Sequence, residues 1–177
     1  PLPSSPVGSS LTIPASWLAS AVKQVRFAVA GGDQRYYLAG ALLEPTSEFL
    51  RMVGSDSHRM AMATGASVGA SVPRILPSKT LAALALVLDD QPADAVAIYT
   101  QGENHLFFDI NRTRLVSRVI DGKYPAYRRV IPAPVDHSVL VDRVTLLSAL
   151  KRLDMLANAA TREVVFTVEA TRLRVES

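Results

Sequence analysis

The stretch IDGKYPAYRRVIP, residues 120–132, decides how the rest of the chain is read. Asp121-Gly122 is a turn signal after a β-rich run at 114–120, and Pro125 fixes an extended backbone beyond it. Tyr124 and Tyr127 flank that proline, and Arg128-Arg129 lead into Val130-Ile131. Pro132 and Pro134 then open a connector, after which the sequence starts again. The stretch therefore closes one folded unit and supplies aromatic, apolar and guanidinium groups at a seam.

The second start is an internal repeat. Residues 10–30 (SLTIPASWLASAVKQVRFAVA) lie over 138–158 (SVLVDRVTLLSALKRLDMLAN) at an offset of 138 − 10 = 128. Leu18 matches Leu146, Ser20 matches Ser148, Ala21 matches Ala149 and Lys23 matches Lys151. At the same offset 35–38 meets 163–166, and after a turn expected to be shorter in the second copy, Leu50-Arg51 meets Leu173-Arg174. The chain thus reads as tandem copies of one domain, the second of them cut short.

Outward from the repeat, 9–13 is expected to be a strand and 14–30 an amphipathic helix. Pro14 and Ser16 supply its start, and Gly31-Gly32 its end. Trp17, Leu18, Ala21, Val22, Val25 and Val29 form its apolar stripe, with Lys23 and Arg26 off it. No acidic residue precedes Asp33, so the exposed face is expected to carry only positive charge. Strands are expected at 35–44, 48–53 and 58–63, a second helix at 78–88 beginning with Lys79, and a meander at 95–100, 105–110 and 114–120. This is an α+β pattern with antiparallel sheets.

Composition excludes several classes. With 177 residues, 49% hydrophobic and 20% charged, the chain can bury a core and is not a disordered polymer. It has no cysteine, hence no disulfide framework, thiolate nucleophile or cysteine-held zinc. A net charge of +3 permits an acidic partner without demanding one. No apolar run is long enough to span a bilayer and 1–9 lacks signal-peptide regions, so a soluble cytoplasmic protein without membrane or cofactor is expected.

Asp56, Ser57 and His58 are the residue types of a hydrolytic triad, but consecutive residues do not converge in its geometry. His105 and His137 have no partner at metal-ligand spacing, and Asp89-Asp90 ends a helix. A non-catalytic, metal-free protein is expected.

Three segments carry a resemblance. RYYLAGALLE at 35–44, SDSHRMAMA at 55–63 and DGKYPAYRRVIP at 121–132 resemble, in order and spacing, the middle domain of the bacterial sliding clamp, the beta subunit of DNA polymerase III. The Pro- and Ser-rich residues 1–8 read as a tail or linker, and the likeness implies a complete middle domain at 9–132 and the start of a third domain at 133–177, joined near 134–136. It also implies the DNA-clamp fold: tandem domains, each with two helices packed on antiparallel sheets, closing as a homodimer ring around duplex DNA in the bacterial cytoplasm, at the nucleoid. The expected partners are DNA, the replicative polymerase, other clamp-binding-motif proteins and the clamp loader.

Carried over position by position, the resemblance makes Lys23, Arg26, Gln34, Arg35, Tyr36 and Lys79 candidates for phosphate contact, which is sequence-independent and salt-sensitive. A peptide-docking pocket would be walled by Tyr37, Leu38, Ser55, Ser57, His58, Arg59, Met60, Pro125, Arg129 and Val130. Leu38, Met60, Pro125 and Val130 suit apolar anchors, while His58, Arg59 and Arg129 suit a peptide backbone. Relatives commonly have glycine where this chain has Ser57. Met155 and Leu156 match a helix at the ring's subunit interface; the alternative is burial on the stripe shared with Leu153. A rival function is a stand-alone peptide-binding module that does not encircle DNA.

Overall fold

The structure is a computed structural model and describes residues 10–31, 35–90, 94–101, 104–133, 138–156 and 163–177. It divides into two compact units, Pro1–Tyr127 and Arg128–Ser177. The tail at 1–8, Gln34 and the joint at 134–136 lie outside the described residues.

The first unit holds β1 (Ser10–Pro14), α1 (Ala15–Val25), β2 (Gly40–Pro45), β3 (Phe49–Ser55), β4 (Met60–Ala66), β5 (Arg74–Pro77), α2 (Ser78–Asp90), β6 (Ala95–Gln101), β7 (His105–Ile110) and β8 (Thr113–Arg118). Two four-stranded antiparallel sheets result, ordered β1-β6-β7-β8 and β4-β3-β2-β5. Alternation along the strands gives each sheet an apolar face. Ile13, Ile98 and Phe108 from one sheet and Leu43, Met52 and Leu76 from the other enclose Leu18, Val22, Leu81 and Leu84 of the helices in a single core.

The second sheet is apolar on both faces. Leu42, Val53 and Ile75, which alternate with the core residues, form a second cluster with Ala30, Leu38, Tyr124 and Tyr127. This outer cluster positions the site described below.

Several expectations are corrected. Ser16 does not cap α1: Pro14 occupies the N-cap without a side-chain hydrogen bond, leaving Ser16 inside the first turn. The helix ends at Val25 and not at Gly31-Gly32, because Arg26–Ala28 tightens into a 3-10 turn and Val29 turns extended. Residues 35–38 are not strand. Tyr36–Leu38 forms a 3-10 turn, with Leu38 N–H on Arg35 O at 2.8 Å and Leu38 O accepting from Ala30 N–H at 3.1 Å. Burial of Leu38 overrides the β-propensity of the tyrosines.

β2 starts only at Gly40, where a Cβ would stand 2.4 Å from Leu76 O, so the β2–β5 approach requires glycine. The strand expected from His58 starts at Met60, since the preceding residues are consumed by a turn. β5 was not expected; four residues that follow one proline and end on another carry too little periodicity to read as a strand.

The second unit contains α3 (Arg143–Leu156), β9 (Val165–Val168) and β10 (Leu173–Glu176). Asp142 caps α3, accepting from Thr145 N–H at 2.8 Å and Thr145 Oγ1 at 2.6 Å, which holds its carboxyl below the usual value of 3.8. The helices repeat at the offset of 128, Ala15 against Arg143. The hairpins repeat at 123: Pro45↔Leu50 and Leu42↔Val53 correspond to Val168↔Leu173 and Val165↔Glu176.

The turn is therefore not shorter in the second copy. Thr46 N–H to Phe49 O, 2.8 Å, and Glu169 N–H to Arg172 O, 2.9 Å, close loops of equal length. The five missing residues lie upstream, so the match of Leu50-Arg51 with Leu173-Arg174 stands while that of 35–38 with 163–166 does not.

Candidate functional site

The outer cluster brings Leu38 together with Tyr37 and Met60, which are half-buried against it. Residues 120–127 form a strap over this face. Ile120 N–H bonds Ile75 O at 3.0 Å, Tyr124 is buried, and Tyr127 N–H closes a tight turn on Pro125 O at 2.7 Å. Pro125 itself is exposed. Burial pushes the Tyr124 hydroxyl up to about 12, only partly offset by the Ser55 backbone nearby, and no partner reaches it with hydrogen-bond geometry.

The β3–β4 turn supplies the polar rim. Asp56 N–H reaches Arg59 O at 3.3 Å, and Ser55 Oγ donates to Arg59 O at 2.9 Å. Asp56 Oδ1 accepts from the N–H groups of His58 and Arg59, both at 3.0 Å, while Oδ2 accepts from Arg59 Nε at 2.9 Å. The Arg59 N–H above all, then the His58 N–H and the guanidinium, hold the Asp56 carboxyl below its usual range. Asp56 is thus committed to its own loop.

Inside that loop Ser57 has φ +78°, the left-handed region that favours glycine. That conformation would suit a glycine, and the surrounding hydrogen bonds hold serine there against its preference. His58 and Arg59 project at the surface, with the Arg59 guanidinium 5.6 Å from the exposed Phe27 ring. Arg129 and Val130 belong to the second unit and are exposed in it.

The exposed face of α1 carries only positive charge, as expected, but Lys23 Nζ lies 2.6 Å from Asp89 Oδ1 of α2, so the last turns of the two helices are bridged. The pair also places a cation beside the carbonyl end of α2, where Asp89 alone would be unfavourable. Arg26 and Lys79 are exposed; Arg35 and Tyr36 are exposed too, with Tyr36 edge-on to Tyr37 at 5.6 Å between ring centroids.

On α3, Met155 is 78% exposed, whereas Leu146, Leu150 and Leu153 are half-buried, so burial on that stripe does not describe Met155 within its unit. For Leu156 only its place at the end of α3 is described.

A cavity of about 310 Å³ at the β7–β8 turn, lined by Asp109, Asn111, Arg112, Thr113 and Arg114, contains none of these residues. Its wall is occupied by the two-pronged Asp109–Arg114 pair at 2.6 and 2.7 Å. Among the described residues no group of three His, Asp or Glu could hold a metal, and no helix is long and apolar enough to cross a membrane.

One arrangement escaped the sequence reading: Tyr127 Oη donates to Glu44 Oε2 at 2.6 Å and accepts from Arg51 Nη1 at 3.4 Å. Opposite charges facing each other across the expected 35–44/48–53 hairpin were the available signal.

The fold is that of a DNA-clamp domain. The chain superposes on the crystal structure of the DNA polymerase III subunit beta from Pseudomonas aeruginosa with a TM-score of 0.89 and 31% identity, over 99% of this chain and 48% of that one. A sliding clamp of the same organism bound to griselimycin gives 0.87 and 32%, again over 99% of this chain and 48% of that one.

Residues 12–126 match the model of the DNA polymerase III beta subunit, central domain, and the chain belongs to that family. The beta sliding clamp of Pseudomonas putida is 33% identical over 159 residues, 88% of this chain and 43% of that protein. The chain thus spans about half the length of the curated relatives it matches. Clamps of this family are non-catalytic subunits.

Proposed function

We propose that the protein acts as part of a DNA sliding clamp, a processivity factor that encircles duplex DNA and tethers a polymerase at high effective concentration. Client peptides dock on the outer face of the β4-β3-β2-β5 sheet. The observation that carries this is a sheet apolar on both faces, whose outer cluster leaves Tyr37 and Met60 half-open beside the polar β3–β4 turn.

In this reading Leu38, Met60, Pro125 and Val130 receive apolar anchors. Ser55, Ser57, His58, Arg59 and Arg129 meet the peptide backbone and its polar ends. Lys23, Arg26, Gln34, Arg35, Tyr36 and Lys79 face phosphates, and Met155 and Leu156 contribute to a homodimer contact. The clamp loader and the replicative polymerase are the partners, in the bacterial cytoplasm. The domain limits proposed are 9–132 and 133–177.

The test is a fluorescence-anisotropy titration of a labelled Gln-Leu-x-Leu-Phe peptide, with griselimycin as competitor because a relative binds it. Saturable binding weakened by Met60→Asp and by Arg129→Ala is the expected result. Binding indifferent to both substitutions refutes the site.

The Lys23–Asp89 pair favours a second reading, peptide binding without DNA encirclement, since it removes one cation from the face that would meet phosphate. Salt-dependent binding to duplex DNA separates the two.

A further inference from the structure

Glu44, Arg51 and Tyr127 lie outside the set of residues assigned to peptide docking, yet they are tied together beneath it. Glu44 and Arg51 stand directly opposite each other on β2 and β3. The Tyr127 hydroxyl, on a side chain 6% exposed, donates to the Glu44 carboxylate at 2.6 Å and accepts from the Arg51 guanidinium at 3.4 Å. The same guanidinium carbon lies 3.8 Å from the centroid of the Phe49 ring, and the Arg51 Nε is buried without a hydrogen-bond partner.

A short hydrogen bond to an ionised acceptor is among the stronger ones a side chain makes, and a half-buried guanidinium stacked on a ring has little freedom to move. The Tyr127 ring is thereby fixed laterally on the sheet.

The strap is fixed at its other end by the Ile75–Ile120 bridge, and in its middle by the burial of Tyr124, whose hydroxyl finds no partner, and by the Tyr36 ring beside Gly122. Pro125 sits two residues before Tyr127, its carbonyl bonded to the Tyr127 N–H at 2.7 Å. A displaced Tyr127 therefore takes Pro125 with it. The β3–β4 turn is held from within by its own Ser55 and Asp56 side chains, whereas the strap is tied to the sheet by side chains of β2 and β3.

We propose that Glu44, Arg51 and Tyr127 form a positioning clip that sets where the 120–127 strap, and with it the Pro125 wall, stands over the docking face. The role rests on the peptide-docking reading above. Glu44 and Arg51 touch no ligand; they act through Tyr127.

The experiment uses the full chain. Tyr127→Phe removes the hydroxyl and keeps the ring, and Glu44→Gln keeps an acceptor but not its charge. Thr80→Val, which breaks the 2.6 Å Thr80–Ser117 hydroxyl bond between α2 and β8, is the control for general destabilisation. Amide hydrogen exchange over 120–127 and dissociation of the labelled peptide are read together.

The clip predicts that Tyr127→Phe speeds both exchange in the strap and peptide dissociation on the order of tenfold. Glu44→Gln should lie between it and the native chain, and Thr80→Val should change neither quantity. Faster strap exchange with unchanged peptide dissociation overturns the positioning role. No change in either quantity overturns the clip itself. Equal effects from Thr80→Val reduce it to ordinary stability and also overturn it. A native chain that binds no peptide refutes the docking reading instead, and the positioning role falls with it.

Discussion

Replacing Ser57 with glycine should make the protein more stable, although the change removes a side chain and adds no contact. An L-residue in the left-handed region carries about 1–2 kcal/mol of steric cost. Glycine escapes that cost but loses more freedom on folding, which returns about 0.5–1 kcal/mol. The Ser57 hydroxyl has no partner among the described residues, and the turn's bonds use the Ser57 N–H, not its side chain. The net gain is then about 0.5–1 kcal/mol, or a midpoint higher by about 1–4 °C for a chain of this size.

Ser57→Asn should gain less, because asparagine tolerates this region without glycine's freedom. The chain itself places Asn111 at φ +51°. Ser57→Val should lose on the order of 1 kcal/mol, since a β-branched side chain is the worst fitted to positive φ. Urea denaturation of the four proteins at one pH measures the series, with the slope checked for constancy. An order other than Gly, Asn, Ser, Val, at unchanged slope, refutes the claim that Ser57 is held against its backbone preference.

Three further outcomes are expected. Tyr124→Phe should be neutral or stabilising by up to about 1 kcal/mol, because the lost hydroxyl is buried and unpartnered. The folded pKa of Tyr124, about 12, is above its ordinary 10.0, so the native chain loses stability as pH rises from 10.0 towards 12, and the variant's alkaline limb should be flatter in denaturation curves. Asp56 has a lowered folded pKa, so its contribution is complete above 3.8 and is lost as pH falls through the folded value; Asp56→Asn should flatten the acid limb, and an identical limb refutes this. Asp89→Asn should strengthen binding to a duplex and steepen its salt dependence by about 0.9 in log–log slope, as one released lysine engages one phosphate; anisotropy at stepped salt checks it, and an unchanged slope denies Lys23 a place on DNA.

The α+β pattern, both helices of the first unit and the meander were legible because long amphipathic periods and turn signals mark them locally. The two tyrosines at 36 and 37 misled for the same reason. Their propensity is for strand, but Leu38 must drop into the outer cluster, and only a tight turn lets it. Tyr37, Leu38 and Met60 come together in that cluster.

The Lys23–Asp89 pair was illegible: 66 residues separate the partners, and nothing in either helix alone says that their last turns meet. The double-faced sheet was half legible. Leu42, Val53 and Ile75 alternate with core positions, which in a half-buried strand would be polar, and that excess of apolar residues was the available sign of a second covered face.

The two repeat offsets place the difference between the copies in one segment. Helix and hairpin are copied faithfully, one at 128 and the other at 123, and the difference falls wholly in the connector between them. In the first unit that connector holds the 3-10 turn Tyr36–Leu38, and the bond from Ala30 N–H to Leu38 O folds it back over the outer face of β2 and β3. The position that Leu42 holds in the first hairpin, where it joins the outer cluster, is held by Val165 in the second. The five residues by which the first connector is longer fall where the chain turns back over the β2–β3 face, beside the half-buried Tyr37 and Met60.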